Sequence, residues 1–143
     1  YNYEWWILDG APLAAEDDFL GVHTYPSWEN KNIDEALSYT NENIEPVHAA
    51  LPDNPIAILE AGWATKAREF SEQASEANQT RYYRELDEWA SATNTTVFFF
   101  EAFDEPWKGN PNKPDGAEKH WGIFFVDRTP KQVVKDLLTA DEQ

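Results

Sequence analysis

Two short apolar runs in this chain each lead directly into a carboxylate, where a buried strand would reach the edge of its sheet. Residues 55–59 precede Glu60, and residues 97–100 precede Glu101. Near-continuous apolar runs of this length are typical of parallel strands buried on both faces, and in barrels of such strands the chemistry lies at the C-terminal ends. The two runs therefore predict a parallel sheet that delivers carboxylates to one edge.

Segments with helical periodicity separate the strands. The predicted order is strand 19–23, helix 33–51, strand 55–60, helix 71–92, strand 96–101, a short strand or rim segment 121–126, and a closing helix 130–138. Pro46 lies inside the first helical segment, so we expect an interruption or a kink before it. Strands that alternate with helices of this size predict right-handed β/α units in an α/β fold.

Length and charge limit the function classes. The chain has 143 residues, well short of the roughly 250 typical of a closed eight-stranded β/α barrel. We therefore expect one domain or a partial domain over 1–143, the back part of something longer.

A net charge of −16 argues against nucleic acid or an anionic membrane as partner. No apolar run approaches the ~20 residues of a membrane span, so a soluble protein is expected. Because the chain has no Cys, disulfides and Cys-based metal sites are excluded.

Four motifs occur in the order and spacing of a known enzyme family. They are Gly21–Glu29 with its Tyr-Pro pair, Leu59–Thr65, Phe100–Lys108 and Glu118–Phe124. They resemble glycoside hydrolase family 17, whose members are β-1,3-glucan hydrolases and transglucosylases on a (β/α)8 barrel. The resemblance extends over about residues 5–130. It implies parallel β/α units that form the C-terminal half of a TIM-type barrel.

The resemblance also implies catalytic roles for a group of carboxylates and a lysine. Cleavage with retention needs two carboxylates about 5 Å apart, one a nucleophile and one a general acid. Glu60 matches the family nucleophile, while Glu105, Lys108 and Glu118 match polar residues around it. The family's general acid ends the fourth strand in an Asn-Glu pair, and no segment upstream of residue 19 matches that strand. We therefore expect a retaining glycosidase nucleophile with its general acid in a missing N-terminal half.

Carboxylates beside tryptophans are typical of sugar sites, because the C–H faces of a sugar ring stack on aromatic rings. The candidate substrate-binding residues are His23, Tyr25, Trp28, Trp63, Phe103, Asp104 and Trp107. Trp28, Trp63 and Trp107 follow strand ends, so we expect them to line a cleft. Trp89 belongs to a helical stripe and is expected in the core. Trp5 and Trp6 fit either place. His23 fits either a sugar hydroxyl or a structural hydrogen bond.

No cofactor or metal is expected. Asp104, Glu105 and His120 are residue types that bind divalent ions, but their loop placement lacks ligand spacing and the family needs no metal. The expected partner is a β-1,3-glucan oligosaccharide or polysaccharide. Exposed sheet edges further predict a homodimer or a missing N-terminal half, and the full-length parent is expected to be secreted or periplasmic.

Two alternatives to an active β-1,3-glucanase stay open at this point. One is a catalytically impaired half-barrel that binds β-glucan on its aromatic side chains. The other is an inactive structural fragment that self-associates.

Overall fold

The computed structural model describes residues 3–140. Its elements are α1 (Tyr3–Asp9), α2 (Ala11–Ala14), β1 (Leu20–Thr24), α3 (Ala36–Ala50), β2 (Ile56–Ala61), α4 (Glu76–Thr93), β3 (Thr96–Phe99) and α5 (Gln132–Ala140). Single 3₁₀ turns lie at Pro26–Glu29, Ile33–Glu35, Ser71–Gln73 and Ala117–Lys119. The chain divides into two compact units. One is the chain up to Ala61 with Leu86–Phe98, and the other is Gly62–Glu85 with the chain from Phe99 onward.

The sheet has the strand order β1-β2-β3, with β1 and β2 parallel. Leu20 lies opposite Ile56 and Val22 opposite Ile58, but an irregularity after Val22 places His23 opposite Glu60. A residue inserted into a ladder in this way redirects the side chains that follow it. The bulge therefore sets Glu60 beside His23 at the C-terminal end of the sheet.

The core of the first unit lies between these strands and helices α1 and α3. Leu20, Val22, Ile58 and Val47 are buried. Trp6 on α1 is also buried, and its indole Nε1 donates a hydrogen bond to the carbonyl of Gly21 at 3.0 Å. The helix that carries Trp6 was absent from the sequence prediction, and it settles the open placement of this tryptophan in favour of the core.

Helix α3 begins after a polar cap. The side chain of Asn32 accepts a hydrogen bond from the Asp34 amide, and Glu35 accepts one from the Asn32 amide; together these satisfy donors that a helix start leaves unpaired. Of the two outcomes predicted at Pro46, an interruption is wrong, because α3 runs unbroken from Ala36 to Ala50, and a kink stays a prediction. Pro46 lies on the exposed side, where water can bond the carbonyl that a proline leaves without a partner.

The second unit packs around aromatic rings and one glutamine. Trp63, Tyr82 and Trp121 are buried, and the rings of Trp63 and Tyr82 lie 5.7 Å apart. Gln79 is also buried, and its Nε2 donates to the carbonyls of Trp63, Trp121 and Gly122 at 2.9 to 3.1 Å. This one side chain ties α4 to two loops of the unit.

The predicted strands and the three long helices are present, with ends shifted by a few residues. Strand β3 stops at Phe99 rather than 101 because the backbone turns to a new partner: the Glu101 amide donates to Trp121, and the Ile123 amide donates to Glu101. The predicted rim segment at 121–126 forms isolated bridges through Phe124. None of the described helices is long and apolar enough to cross a membrane.

Candidate functional site

Glu60 is the centre of the site in the first unit. Its side chain is 35% exposed, and its Oε2 accepts a hydrogen bond from the hydroxyl of Tyr25 at 2.7 Å. His23 Nδ1 lies 3.4 Å from the same oxygen. The structure therefore brings together three of the residues that the sequence singled out and leaves their carboxylate accessible.

Local packing explains why Glu60 reaches this position. A Cβ atom at Gly21 would collide with Leu59 Cδ1, so glycine leaves room for Leu59 to pack over β1. The bulge after Val22 then sets His23 next to Glu60. Tyr25 directly follows β1 and precedes the turn at Pro26–Glu29, which aims its hydroxyl at the end of the neighbouring strand.

A second cluster, formed by Glu101, Glu105 and Lys108, lies in the second unit. Lys108 Nζ is 2.8 Å from Glu105 Oε2 and 3.4 Å from Glu101 Oε2, and it lies 4.4 Å from the centre of the Phe100 ring. Glu101 is only 16% exposed at its side chain, and its Oε1 is buried without a hydrogen-bond partner. The sequence predicted Glu105 and Lys108 as a supporting pair, and the structure adds Glu101 to them.

The cluster separates its two carboxylates by environment. Burial raises the pKa of Glu101 to about 7, with the Glu105 charge adding to the rise and Lys108 opposing it. The hydrogen bond from Lys108 lowers the pKa of Glu105. Burial lowers the pKa of Lys108, but its contacts with the two carboxylates outweigh that effect and raise it. The cluster therefore combines an ammonium with a Glu105 that loses its proton more readily, and a Glu101 that keeps its proton to a higher pH, than an ordinary glutamate.

Asp104 lies among internal contacts, and its role in substrate binding stays a prediction. Its carboxylate is buried, and Oδ1 accepts hydrogen bonds from Lys131 Nζ at 2.7 Å and from the Gly122 amide at 3.0 Å. His120 Nδ1 lies 3.8 Å from Oδ2. Asp104 is an internal counter-ion of Lys131, and in the described part of the chain no three His, Cys, Asp or Glu residues are grouped to hold a metal ion.

The aromatic candidates divide into exposed and buried rings. Trp107 is 69% exposed, and Trp28 and Phe103 are also exposed, although the Phe103 ring packs against Phe124 at 5.5 Å between ring centres. Trp63 is 1% exposed, and its Nε1 donates to the carbonyl of Gln73 at 2.8 Å. The expectation that Trp63 lines a cleft is therefore wrong, because its contacts are internal. Trp89 is half-buried.

Glu118 lies in the 3₁₀ turn at Ala117–Lys119 and is half-buried. A Cβ at Gly109, whose φ is +69°, would lie 3.0 Å from Glu118 Cβ, so the chain passes close to this side chain where glycine permits a left-handed backbone. The contacts of Glu118 leave its catalytic role a prediction.

Sequence reasoning missed two buried lysines of the second unit. Lys119 Nζ donates to the carbonyls of Pro106 and Lys108, and Lys131 contacts Asp104. Lysine is almost never fully buried unless it is paired, so no local pattern marks such a residue. Glu101 did carry a signal, since it follows an apolar run in the same way as Glu60.

Comparison with known proteins gives consistent matches. Residues 2–122 match the family model described as the BtgE/BtgC glycoside hydrolase domain. A glucan 1,3-beta-glucosidase of Arthroderma benhamiae is 31% identical over 127 residues, which cover 79% of this chain and 41% of that protein. The chain thus spans about two fifths of the length of this curated relative.

Two solved structures share the fold. An endo-laminarinase from Formosa Hel1_33_131 matches with a TM-score of 0.86 and 27% identity, over 98% of this chain and 46% of its own. A glycoside hydrolase family 17 beta-1,3-glucanosyltransferase from Rhizomucor miehei matches with a TM-score of 0.75 and 30% identity, over 85% and 44%; an active-site mutant of it has been solved in complex with laminaritriose. The chain belongs to the BtgE/BtgC glycoside hydrolase domain family, and its predicted resemblance to glycoside hydrolase family 17 is confirmed.

Proposed function

We propose that this chain carries the nucleophile of a retaining glycoside hydrolase that acts on β-1,3-glucan. The observation that carries the proposal is Glu60 itself: an accessible carboxylate at the end of a buried parallel strand, oriented by the Tyr25 hydroxyl and adjacent to His23. A nucleophile needs this combination of fixed direction and access. The names of the relatives support β-1,3-glucan as the substrate class.

In the proposed reaction, a Glu60 oxygen attacks the anomeric carbon and forms a glucosyl ester as the bond to the leaving oxygen breaks. The leaving oxygen takes a proton from a general acid, and water then hydrolyses the ester. A second sugar hydroxyl in place of water gives transglycosylation. Supporting roles for Glu105, Lys108 and Glu118 rest on the family resemblance.

We infer that the general acid comes from outside these 143 residues, in an N-terminal half that the full barrel would contain. The resemblance assigns that acid to the family's fourth strand. The chain spans 44 to 46% of the similar solved structures, and β1 and β3 are the outer strands of the described sheet. These observations support a half-barrel that is completed by further β/α units or by a second copy.

Exposed aromatic side chains are the proposed ligand contacts in each unit taken by itself. The first unit exposes Trp28, and the second exposes Phe103 and Trp107; stacking on a sugar is an expected use of such rings. The laminaritriose bound to the Rhizomucor miehei neighbour supports a β-1,3-linked glucose oligomer as the ligand.

The test is incubation of the full chain with laminarihexaose, followed by chromatography of the products. Loss of a general acid commonly costs 10² to 10⁴ in rate, so we expect slow cleavage that disappears in Glu60→Gln and persists in Glu42→Gln, which alters an exposed carboxylate of α3. An activated fluoro-sugar, whose leaving group needs no acid, is expected to label Glu60. Label on any other residue would refute the assignment.

The second candidate is a glucan-binding half-barrel without turnover. The strong exposure of Trp107 favours it, because an aromatic platform binds sugar whether or not the bond is cleaved. Laminarihexaose that binds equally to the parent and to Glu60→Gln, with no cleavage by either, would favour this candidate. Absence of both binding and cleavage would favour a structural fragment.

A further inference from the structure

Lys131 is the most deeply buried cation among the described residues. Its side chain is 0% exposed, and its Nζ lies 2.7 Å from both Asp104 Oδ1 and Thr65 Oγ1. The Phe125 ring centre lies 5.1 Å from the same nitrogen. Burial lowers the pKa of Lys131, and Asp104 opposes that change. Removing one partner of such a buried ion pair leaves an uncompensated charge and is strongly destabilising.

Asp104 connects Lys131 to the carboxylate–lysine cluster. It directly precedes Glu105, and its amide donates to the Phe124 carbonyl while its Oδ1 accepts from the Gly122 amide. A Cβ at Gly122 would collide with the Asp104 backbone, so the two segments touch through main chain. Asp104 is thus held through both its main chain and its side chain, between Glu101 and Glu105 of the cluster.

The backbone completes the connection. The Lys131 amide donates to the Ile123 carbonyl, and the Ile123 amide donates to the Glu101 carbonyl. The start of α5 and the Glu101–Lys108 segment are therefore linked twice, once through main chain and once through the Lys131–Asp104 ion pair. Rotation of the segment would break both links.

We propose that Lys131 is a positioning residue, which acts through Asp104 to hold the Glu101–Lys108 segment and its cluster in place and adds a positive field at Glu101. The contribution of Lys131 to catalysis rests on the proposed function, whereas its effect on the cluster of Glu101, Glu105 and Lys108 does not. The charges that face Lys131 are those of Asp104, Glu76 and Glu101. Among them only Asp104 contacts its ammonium directly.

The test is titration of the Glu101 carboxyl by ¹³C NMR in the full chain, with Glu101→Gln to assign the resonance. Lys131→Met removes a cation and leaves Asp104 without its counter-charge, so the Glu101 midpoint should rise by about 0.5 pH unit or more. Lys135→Met removes the same charge from the exposed surface of α5 and should leave the midpoint unchanged. A purely structural lysine predicts the opposite sign, since loosened packing would hydrate Glu101 and lower its midpoint.

Lys131→Arg keeps the positive charge and should restore the parent midpoint. Circular dichroism would show whether Lys131→Met folds. If it does not, Asp104→Asn is the test variant, because its amide oxygen can still accept the hydrogen bond from the Gly122 amide while the negative charge is lost. The less neutralised Lys131 should then lower the Glu101 midpoint. An unchanged midpoint in Asp104→Asn, or a fall in a folded Lys131→Met, overturns the proposal. Neither result bears on whether Glu60 attacks a glucan, so the two hypotheses fail separately.

Discussion

At the residue scale, two strand-end glutamates have opposite surroundings. Glu60 is accessible and accepts a hydrogen bond from a tyrosine hydroxyl. Glu101 is mostly buried beside an ammonium and another carboxylate. Carboxyl groups whose environments differ in this way are suited to different chemical roles. The environment, rather than the shared sequence pattern, distinguishes the two residues.

The Tyr25 hydroxyl is expected to matter for the reactivity of Glu60. Tyr25→Phe keeps the ring and removes the hydroxyl that donates to the Glu60 carboxylate. Loss of a hydrogen bond of about 1 to 1.5 kcal/mol should slow labelling of Glu60 by an activated fluoro-sugar by about tenfold. Tyr83→Phe, which alters a ring packed against Phe99, is the matched control. Equal labelling rates in the parent and Tyr25→Phe would contradict an orienting role.

The raised pKa of Glu101 predicts how the free energy of unfolding depends on pH. Because its pKa is near 7 in the folded chain against an ordinary 4.5, the folded state binds the proton more tightly, and the free energy of unfolding should fall between about pH 4.5 and 7. Glu105, whose pKa is lowered, acts with the opposite sign and only as the pH falls below its ordinary range. The two effects therefore occupy separate pH windows.

Glu101→Gln is the direct test of that dependence. A neutral amide in the buried position should match the parent in melting temperature at pH 5 and exceed it at pH 8. Thermal unfolding followed by circular dichroism across this range measures the difference. Parallel curves for the two proteins at every pH would mean that Glu101 titrates normally.

At the element scale, the sequence predicted what local periodicity encodes. Strands β1 and β2 and helices α3 to α5 follow from apolar spacing and lie close to their predicted bounds. Helix α1 was missed because its two adjacent tryptophans do not mark one helical face, and its packing depends on the contact from Trp6 to Gly21. The Lys131–Thr65 contact joins residues 66 positions apart, a separation at which local pattern carries no information.

The single side chain of Gln79 on α4 is expected to make a large contribution to the free energy of unfolding. Gln79→Leu would leave the carbonyls of Trp63, Trp121 and Gly122 without this donor, while it also removes a buried oxygen that has no hydrogen-bond partner. At about 1 to 3 kcal/mol for an unsatisfied buried group, we expect a net loss of about 2 to 4 kcal/mol. Urea unfolding measures it, and Gln132→Leu on the exposed start of α5 should change stability by less than about 0.5 kcal/mol. Equal stabilities would show that water replaces the donor.

At the scale of the whole molecule, the net charge opposes self-association and an exposed apolar side chain favours it. A net charge of −16 makes two copies repel. The outer strand β3 nevertheless exposes Phe98 at 58%, and an outer strand with an apolar side chain is a template for pairing. Whether copies associate therefore depends on how strongly the solvent screens their charge.

We expect self-association that strengthens with salt. At physiological ionic strength the screening length is about 8 Å, and at 1 M it is about 3 Å, so added salt weakens the repulsion while the apolar contact persists. Sedimentation velocity should show a rising dimer fraction as salt increases at fixed protein concentration. Phe98→Glu places a charge on β3 and should reduce that fraction at every salt level, whereas Ala49→Glu adds the same charge to the exposed end of α3 and should reduce it much less. A compact monomer under all conditions would exclude the second copy as the partner of this sheet and leave a further segment of a longer chain as the structure that completes it.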